Sequence, residues 1–325
     1  MERGSSGARA SSSRIRSEDE RAGLVKVMVI GVGNGGVNAV NEMAQTGLSG
    51  VRLVAVDTDA QVLARSKAEQ VLQLGEELTG GRGTGGRPEI AQRAALERKE
   101  ELGDLLEGLD MVFLTAGLGG GTGTGAGPVI AGLAKAAGVL TIAIVTKPFS
   151  FEGQGRMERA KRGLEGLEKN VDALIVIPND RLLEIAAGVP LTEAFKLADE
   201  ILRRGVQGLS DLVTFPGMIN LNLSDVEAVL RGAGRVMIGM GEGKGERKVR
   251  QALEEAVQSP LLEQGSIRGA TKVIINITGG EDLSLREATE GAIDLESLME
   301  VLFGESPPPS FEEAKLVVRV FPPML

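Results

Sequence analysis

The chain has no cysteine, histidine, tryptophan or tyrosine, and its only aromatic residues are eight phenylalanines. Without cysteine there can be no disulfide, thiolate metal site or thiol nucleophile. Without histidine or tyrosine there is no Ser-His-Asp triad, no imidazole-ligated zinc and no phenolic acid catalyst. Any chemistry therefore falls to carboxylates, Lys, Arg, amides, hydroxyls, backbone groups or a bound ion. No apolar run approaches the roughly 18 residues of a membrane span, and the polar first 20 residues do not resemble a secretory leader. Basic charge is also in deficit. The 36 Lys and Arg are outnumbered by 45 Asp and Glu, giving a net charge of −9 with no basic stripe, which argues against a nucleic-acid partner.

What is present is a 325-residue chain with 42% hydrophobic residues, enough for a sizeable core and a prior of two domains. Residues 1–23, rich in Ser, Gly and Arg, read as a disordered tail. Apolar strands are expected at 24–30, 51–56, 110–116, 140–146 and 173–177. Helices are expected at 37–46, from Pro88 onward, from Pro128 to Ala137 and at 155–168, with a Gly-dense loop at 75–89. This alternation predicts an α/β fold with a Rossmann-like parallel sheet, which binds ligands at the carboxyl ends of its strands. Apolar spacing at Leu191, Ala194, Phe195, Ala198, Ile201 and Leu202 predicts one long helix, ended by Pro216-Gly217. The remainder mixes helices (246–257, 285–301) with strands (236–240, 272–277, 315–321), crossed by an exposed Pro307-Pro-Pro309 link. The expected organisation is a nucleotide-binding domain over 24–190, a central helix over 191–216 and a smaller α/β domain over 217–325.

Two glycine-rich turns carry the chemistry. Gly31-x-Gly33-x-x-Gly36 follows a strand and fits a dinucleotide fingerprint, although a plain tight connection explains it too. Gly119-Gly-Gly-Thr-Gly-Thr-Gly125 also follows a strand and reads as neither ordinary helix nor strand. Each turn aims backbone N–H groups at one point, and Thr122 and Thr124 can add hydroxyl donors. Two such turns on one sheet suggest a polyphosphate gripped from two sides. Neither contains the P-loop lysine, so amides, hydroxyls and a Mg²⁺ ion are the expected means. A nicotinamide dehydrogenase stays open, weakened by the missing His and Tyr.

The run Gly119–Gly125 resembles the signature of the tubulin and FtsZ superfamily of GTP-binding, filament-forming proteins. Further blocks resemble its FtsZ branch: 30–41, Asp57-Thr-Asp-Ala-Gln61, Thr146-Lys-Pro-Phe-Ser-Phe-Glu-Gly153, Ile177-Pro-Asn-Asp-Arg-Leu-Leu183, Ser259-Pro-Leu-Leu262 and Asn276-Ile-Thr-Gly-Gly280. The similarity spans about residues 24 to 304. It implies GTP or GDP as cofactor, with Gly33, Asn34, Gly35, Asp57, Gly117, Gly120, Gly121, Thr122, Gly123 and Thr124 along the phosphates. Gly83, Thr84, Gly85 and Gly86 would close over the γ-phosphate, and Glu152 and Arg156 would hold ribose and phosphates. Phe195 would stack on guanine and Asp199 would accept from its N1–H and N2 amine. The bottom-up reading agrees on this pair, since the i, i+4 spacing puts both on one helix face, although core packing is the ordinary role for such a Phe. Asn179 is either a nucleotide contact or simply a polar strand-end residue. No metal ligand is identifiable.

The resemblance also implies a homopolymer assembled longitudinally, head to tail, in the cytoplasm at the division site, with an active FtsZ or anchor proteins as further partners. GTP would be hydrolysed between subunits by a loop of pattern Asn-x-Asp-Phe-x-Asp. Here that loop reads Asn220-Leu-Asn222-Leu-Ser-Asp225, so an amide replaces the first carboxylate and hydrolysis is expected to be slow. Asp57 and Arg87 each stand where the family pattern has Asn. A filament with little GTPase activity, serving as scaffold, regulator or membrane remodeller, is the alternative.

Overall fold

The computed structural model describes residues 25–185, 190–214, 221–245, 247–259, 272–280, 283–284, 286–287 and 315–320. The expected tail, Asn220, Pro216-Gly217, the Pro307 run and nearly all of the 285–301 helix lie outside these residues. Seven parallel strands form one sheet in the order β3-β2-β1-β4-β5-β6-β7. They are β1 (Val27–Val32), β2 (Val51–Asp57), β3 (Gln70–Gln73), β4 (Met111–Gly117), β5 (Leu140–Lys147), β6 (Ala173–Pro178) and β7 (Gly234–Val236). A separate parallel pair joins β8 (Ile274–Gly279) to β9 (Lys315–Val320).

The central strands are apolar throughout because both of their faces are covered. Along β1, Met28, Ile30 and Val32 enter one core, with Ala91 and Ala94 of α4 (Pro88–Glu97), Ile130 of α6 (Thr122–Ala136) and Leu164 of α7 (Gln154–Asn170). α5 (Lys99–Leu106) adds Leu102 and Leu106. Val27 and Val29 face the opposite core, with Val40 and Met43 of α1 (Gly33–Thr46), Ile201 and Val206 of α9 (Leu191–Thr214) and Val226 of α10 (Leu223–Leu230). Each such buried Val, Ile, Leu or Met side chain contributes roughly 1.5–3 kcal/mol by leaving water. Short helices α2 (Ala60–Leu63), α3 (Glu76–Thr79) and α8 (Asn179–Ile185) cap strand ends, and α11 (Lys248–Val257) lies in the C-terminal part.

Three expectations are corrected. The glycine run does form helix: α6 starts at Thr122, two turns before Pro128, and α1 starts at Gly33 rather than near Val37. The propensity penalty is outweighed by packing that admits no side chain. A Cβ on Gly125 would lie 1.9 Å from the Pro88 carbonyl oxygen, and one on Gly123 would lie 3.0 Å from that of Val32. The strand expected at 236–240 is β7, which ends at Val236 and pairs with β6 in the main sheet. The loop at 75–89 contains the single turn of α3, closed at each end by a left-handed glycine.

Candidate functional site

The strand order reverses between β1 and β4, and a doubly wound sheet opens a crevice at such a point. Both glycine turns lie there. Gly33 adopts φ +74°, a left-handed conformation open to Gly, and a Cβ on it would come within 2.7 Å of the Gly123 nitrogen. A Cβ on Gly35 would reach 3.1 Å from the Gly117 nitrogen. The two turns therefore touch main chain to main chain, and the N-termini of α1 and α6 converge. Neither helix start has a side-chain cap or an acidic residue in its first turn. Bare N–H groups and two positive dipole ends suit a multiply charged anion. Asn34 is exposed at the rim, and a side chain on Gly120 would meet open space.

Beneath the crevice lies a hydrogen-bonded carboxylate. Asp57, at the end of β2, is 3% exposed, and its Oδ1 accepts from Thr58 N (2.6 Å), Asp59 N (3.2 Å) and the Thr122 hydroxyl (3.0 Å). Burial pushes its pKa up, and these donors partly oppose the rise. The Thr122 hydroxyl proton is thus directed at Asp57, and the Thr58 and Thr122 hydroxyls are 2.9 Å apart. The Thr124 Oγ1 accepts from Gly119 N at 2.9 Å, bracing the turn. Both threonines support the turn with their side chains and offer the crevice their backbone.

The segment Gly83–Gly86 leans on the second turn. Thr84 is buried, and a Cβ on Gly121 would lie 1.8 Å from its Oγ1. On the far side, Glu152 accepts from Phe149 N (2.8 Å) and pairs with Arg156 (2.9 Å), so each charge holds the other. Arg159 donates from Nε to the Gly119 carbonyl at 2.9 Å. Sequence reasoning missed Arg159, although its i+3 spacing from Arg156 places both on one face of α7.

Phe195 is not a core residue. It is 41% exposed and meets Phe149 edge-on, with centroids 5.2 Å apart. Phe149 is fully buried and stacks on Phe151 at 4.9 Å. A half-exposed ring held edge-on by a second ring keeps one face open to a planar group. One turn along α9, burial pushes the Asp199 carboxyl up to about 7, with Glu42 adding repulsion. Asn179, the first residue of α8, is buried with its Oδ1 lacking a donor. Buried acceptors normally find one, so Asn179 is left with an acceptor open to a ligand's donor.

Asn222 and Asp225 lie elsewhere. Asn222 is the N-cap of α10: its Oδ1 accepts from Asp225 N (2.9 Å), and Asp225 Oδ2 accepts from Asn222 N (3.1 Å). This is a reciprocal capping box. The 24 residues of α9 span about 36 Å. Its last residue, Thr214, meets Gly50 just before β2, where a Cβ would lie 2.9 Å from the threonine. The long helix thus carries the chain to the amino ends of the strands, opposite the glycine turns.

A tubulin/FtsZ family GTPase-domain model matches residues 26–187, and an FtsZ family C-terminal-domain model matches residues 234–314. Among solved structures, an FtsZ dimer from M. jannaschii is 40% identical with a TM-score of 0.86, over 94% of this chain and 87% of that one. An FtsZ variant from the same organism is 41% identical with a TM-score of 0.85, over 94% and 89%. CetZ2 from Haloferax volcanii, a GTPγS-bound protofilament, shares the fold at 23% identity and a TM-score of 0.72, over 92% and 89%. Identity of this level over nearly the whole chain, together with both family domains, means that the chain belongs to the FtsZ family of tubulin-like GTPases.

Proposed function

We propose that the chain binds GTP in the crevice between α1 and α6, polymerises head to tail, and hydrolyses GTP slowly at the subunit contact. The backbone N–H groups around Gly33–Gly35 and Gly120–Thr124 hold the phosphates. Phe195 stacks on the base, while Asp199 and Asn179 accept from its donors. Glu152 and Arg156 flank the ribose. Among the described residues no cluster of three acidic side chains forms an ion cage, so Mg²⁺ would enter with the phosphates, as this ion commonly does.

The observation that carries assembly is the placement of Asn222 and Asp225 at the opposite end of α9 from the glycine turns. These side chains cannot serve the nucleotide of their own subunit. Stacking a second copy end to end would bring them to it. The M. jannaschii relative is described as a dimer, which fits a self-associating chain. In this arrangement Asn222 orients a water but cannot take its proton at neutral pH. Asp225 is the remaining carboxylate, and its Oδ2 already accepts from a backbone N–H. Turnover about 10²-fold below that of a loop with both carboxylates is expected. Asn222 equally favours a second reading, a scaffold or remodelling filament with almost no hydrolysis.

We place the chain in the cytoplasm and in cell division by its family. No helix among the described residues is long and apolar enough to cross a membrane. The test is sedimentation with GTP and with GDP, alongside phosphate release, on the wild-type chain and on Asn222→Asp. Pelleting with GTP and a large gain in turnover for the variant are expected. A soluble chain under every nucleotide condition overturns the assembly reading, and an ordinary FtsZ rate in the wild type overturns the role given to Asn222.

A further inference from the structure

Arg87 breaks two local rules at one position. It is the N-cap of α4, where Ser, Thr, Asp or Asn normally accept from the first turn, yet its side chain caps nothing. It also sets a cation at the positive end of a helix dipole, where an anion is favoured. Violations of this kind concentrate at functional sites. Its backbone is extended (φ −104°, ψ 102°), as the following Pro88 requires.

The geometry gives a reason for the exception. The segment around Arg87 packs on the second glycine turn, where a Cβ on Gly121 would lie 3.2 Å from Arg87 N. The Arg87 Nε donates to the Thr84 carbonyl at 3.2 Å, which holds the side chain back along this same segment. Among the described residues no carboxylate pairs with its guanidinium. Glu89 lies two positions on, a spacing that does not face it on a helix. The starts of α1, α4 and α6 thus gather beside the Arg87 segment, with Glu89 in the first turn of α4 and the buried Asp57 as the nearby carboxylates. An anion of high charge would balance this array.

We infer that Arg87 contacts the terminal phosphate of a bound nucleoside triphosphate and sets the preference for triphosphate over diphosphate. This rests on the nucleotide reading above and deepens it. The family pattern has a neutral Asn here, so this chain adds a cation on the γ-phosphate side.

The test is the dissociation constant for GDP and for a non-hydrolysable GTP analogue, measured by calorimetry on the wild-type chain, Arg87→Asn and Arg87→Lys. A hydrogen bond to a charged group corresponds to about 10–100-fold in binding. The Asn variant should weaken the triphosphate by at least about 10-fold and leave GDP within about 2-fold, with Lys in between. Parallel weakening of both nucleotides, or no change in either, overturns the assignment. A wild-type chain that holds neither nucleotide overturns the nucleotide reading and this assignment with it. Unfolding curves verify that the variants fold, as an exposed side chain leads one to expect.

Discussion

Acidifying the solution from pH 8 to pH 6 should weaken guanine-nucleotide binding about 10-fold through Asp199 alone. Its carboxyl is held up to about 7 by burial and, secondarily, by Glu42. At that value it is about 90% ionised at pH 8 and about 10% at pH 6. Only the ionised form accepts from both the N1–H and the N2 amine, since a protonated acid turns a donor toward a donor. Apparent affinity scales with the competent fraction, hence the factor of about 10. The sign follows from the direction of the shift. Burial favours the protonated form in the empty chain, whereas two donors from guanine favour the carboxylate, so binding expels a proton. Near pH 6 about 0.9 proton should be released per nucleotide, and near pH 8 about 0.1. Calorimetry in two buffers of different ionisation enthalpy reads this number directly. The nucleotide's own phosphates titrate in the same range, so Asp199→Asn supplies the baseline. That variant should lose GTP by about 10–100-fold. It should prefer xanthosine triphosphate, whose C2 carbonyl accepts from the new amide. Equal pH slopes and equal proton release in the wild type and the variant would refute the reasoning.

Other perturbations separate the roles of nearby groups. Asp57→Asn should raise the melting temperature. The folded-state pKa of Asp57 lies above its ordinary value, so the wild type loses stability as pH rises from the unfolded carboxylate range through the folded value. The gap in melting temperature should therefore be wider at pH 8 than at pH 5. Gly33→Ala places a methyl 2.7 Å from the Gly123 nitrogen at positive φ. It should cost at least about 2 kcal/mol in denaturant unfolding. Phe195→Ala removes a half-exposed ring. It should leave stability within about 1 kcal/mol while weakening nucleotide binding by about 10-fold or more, the usual worth of one base-stacking aromatic.

The parts of the molecule legible in the sequence were those with one dominant periodicity. The apolar repeat from Leu191 to Leu202 belongs to α9, and the apolar strands expected at 24–30 and 110–116 are found as β1 and β4, each shifted by one to three residues. The glycine turns were legible as an anion site but not as helix. Gly scores as a helix breaker in isolation, and only the packing of Gly123 and Gly125 against other backbone shows why a helix must lack side chains there. The segment after Asn220 was read for its chemistry, so the i, i+3 pair Asn222 and Asp225 was not recognised as the start of α10. Phe195 was ambiguous between core and platform because spacing cannot report exposure. Its 41% exposure removes the core reading.

The crevice is built by omission. At Gly33, Gly121 and Gly125 the place a methyl would take is already filled by another part of the chain. Such a site can be destroyed by adding atoms at any of these positions, but it cannot be adjusted there, because no side chain exists to lengthen, recharge or rotate. Changes that tune such a site fall around these glycines rather than at them. Asp57 under its floor, Arg87 at its rim and Asn222 at the far end of α9 are such places, and each carries a changed charge.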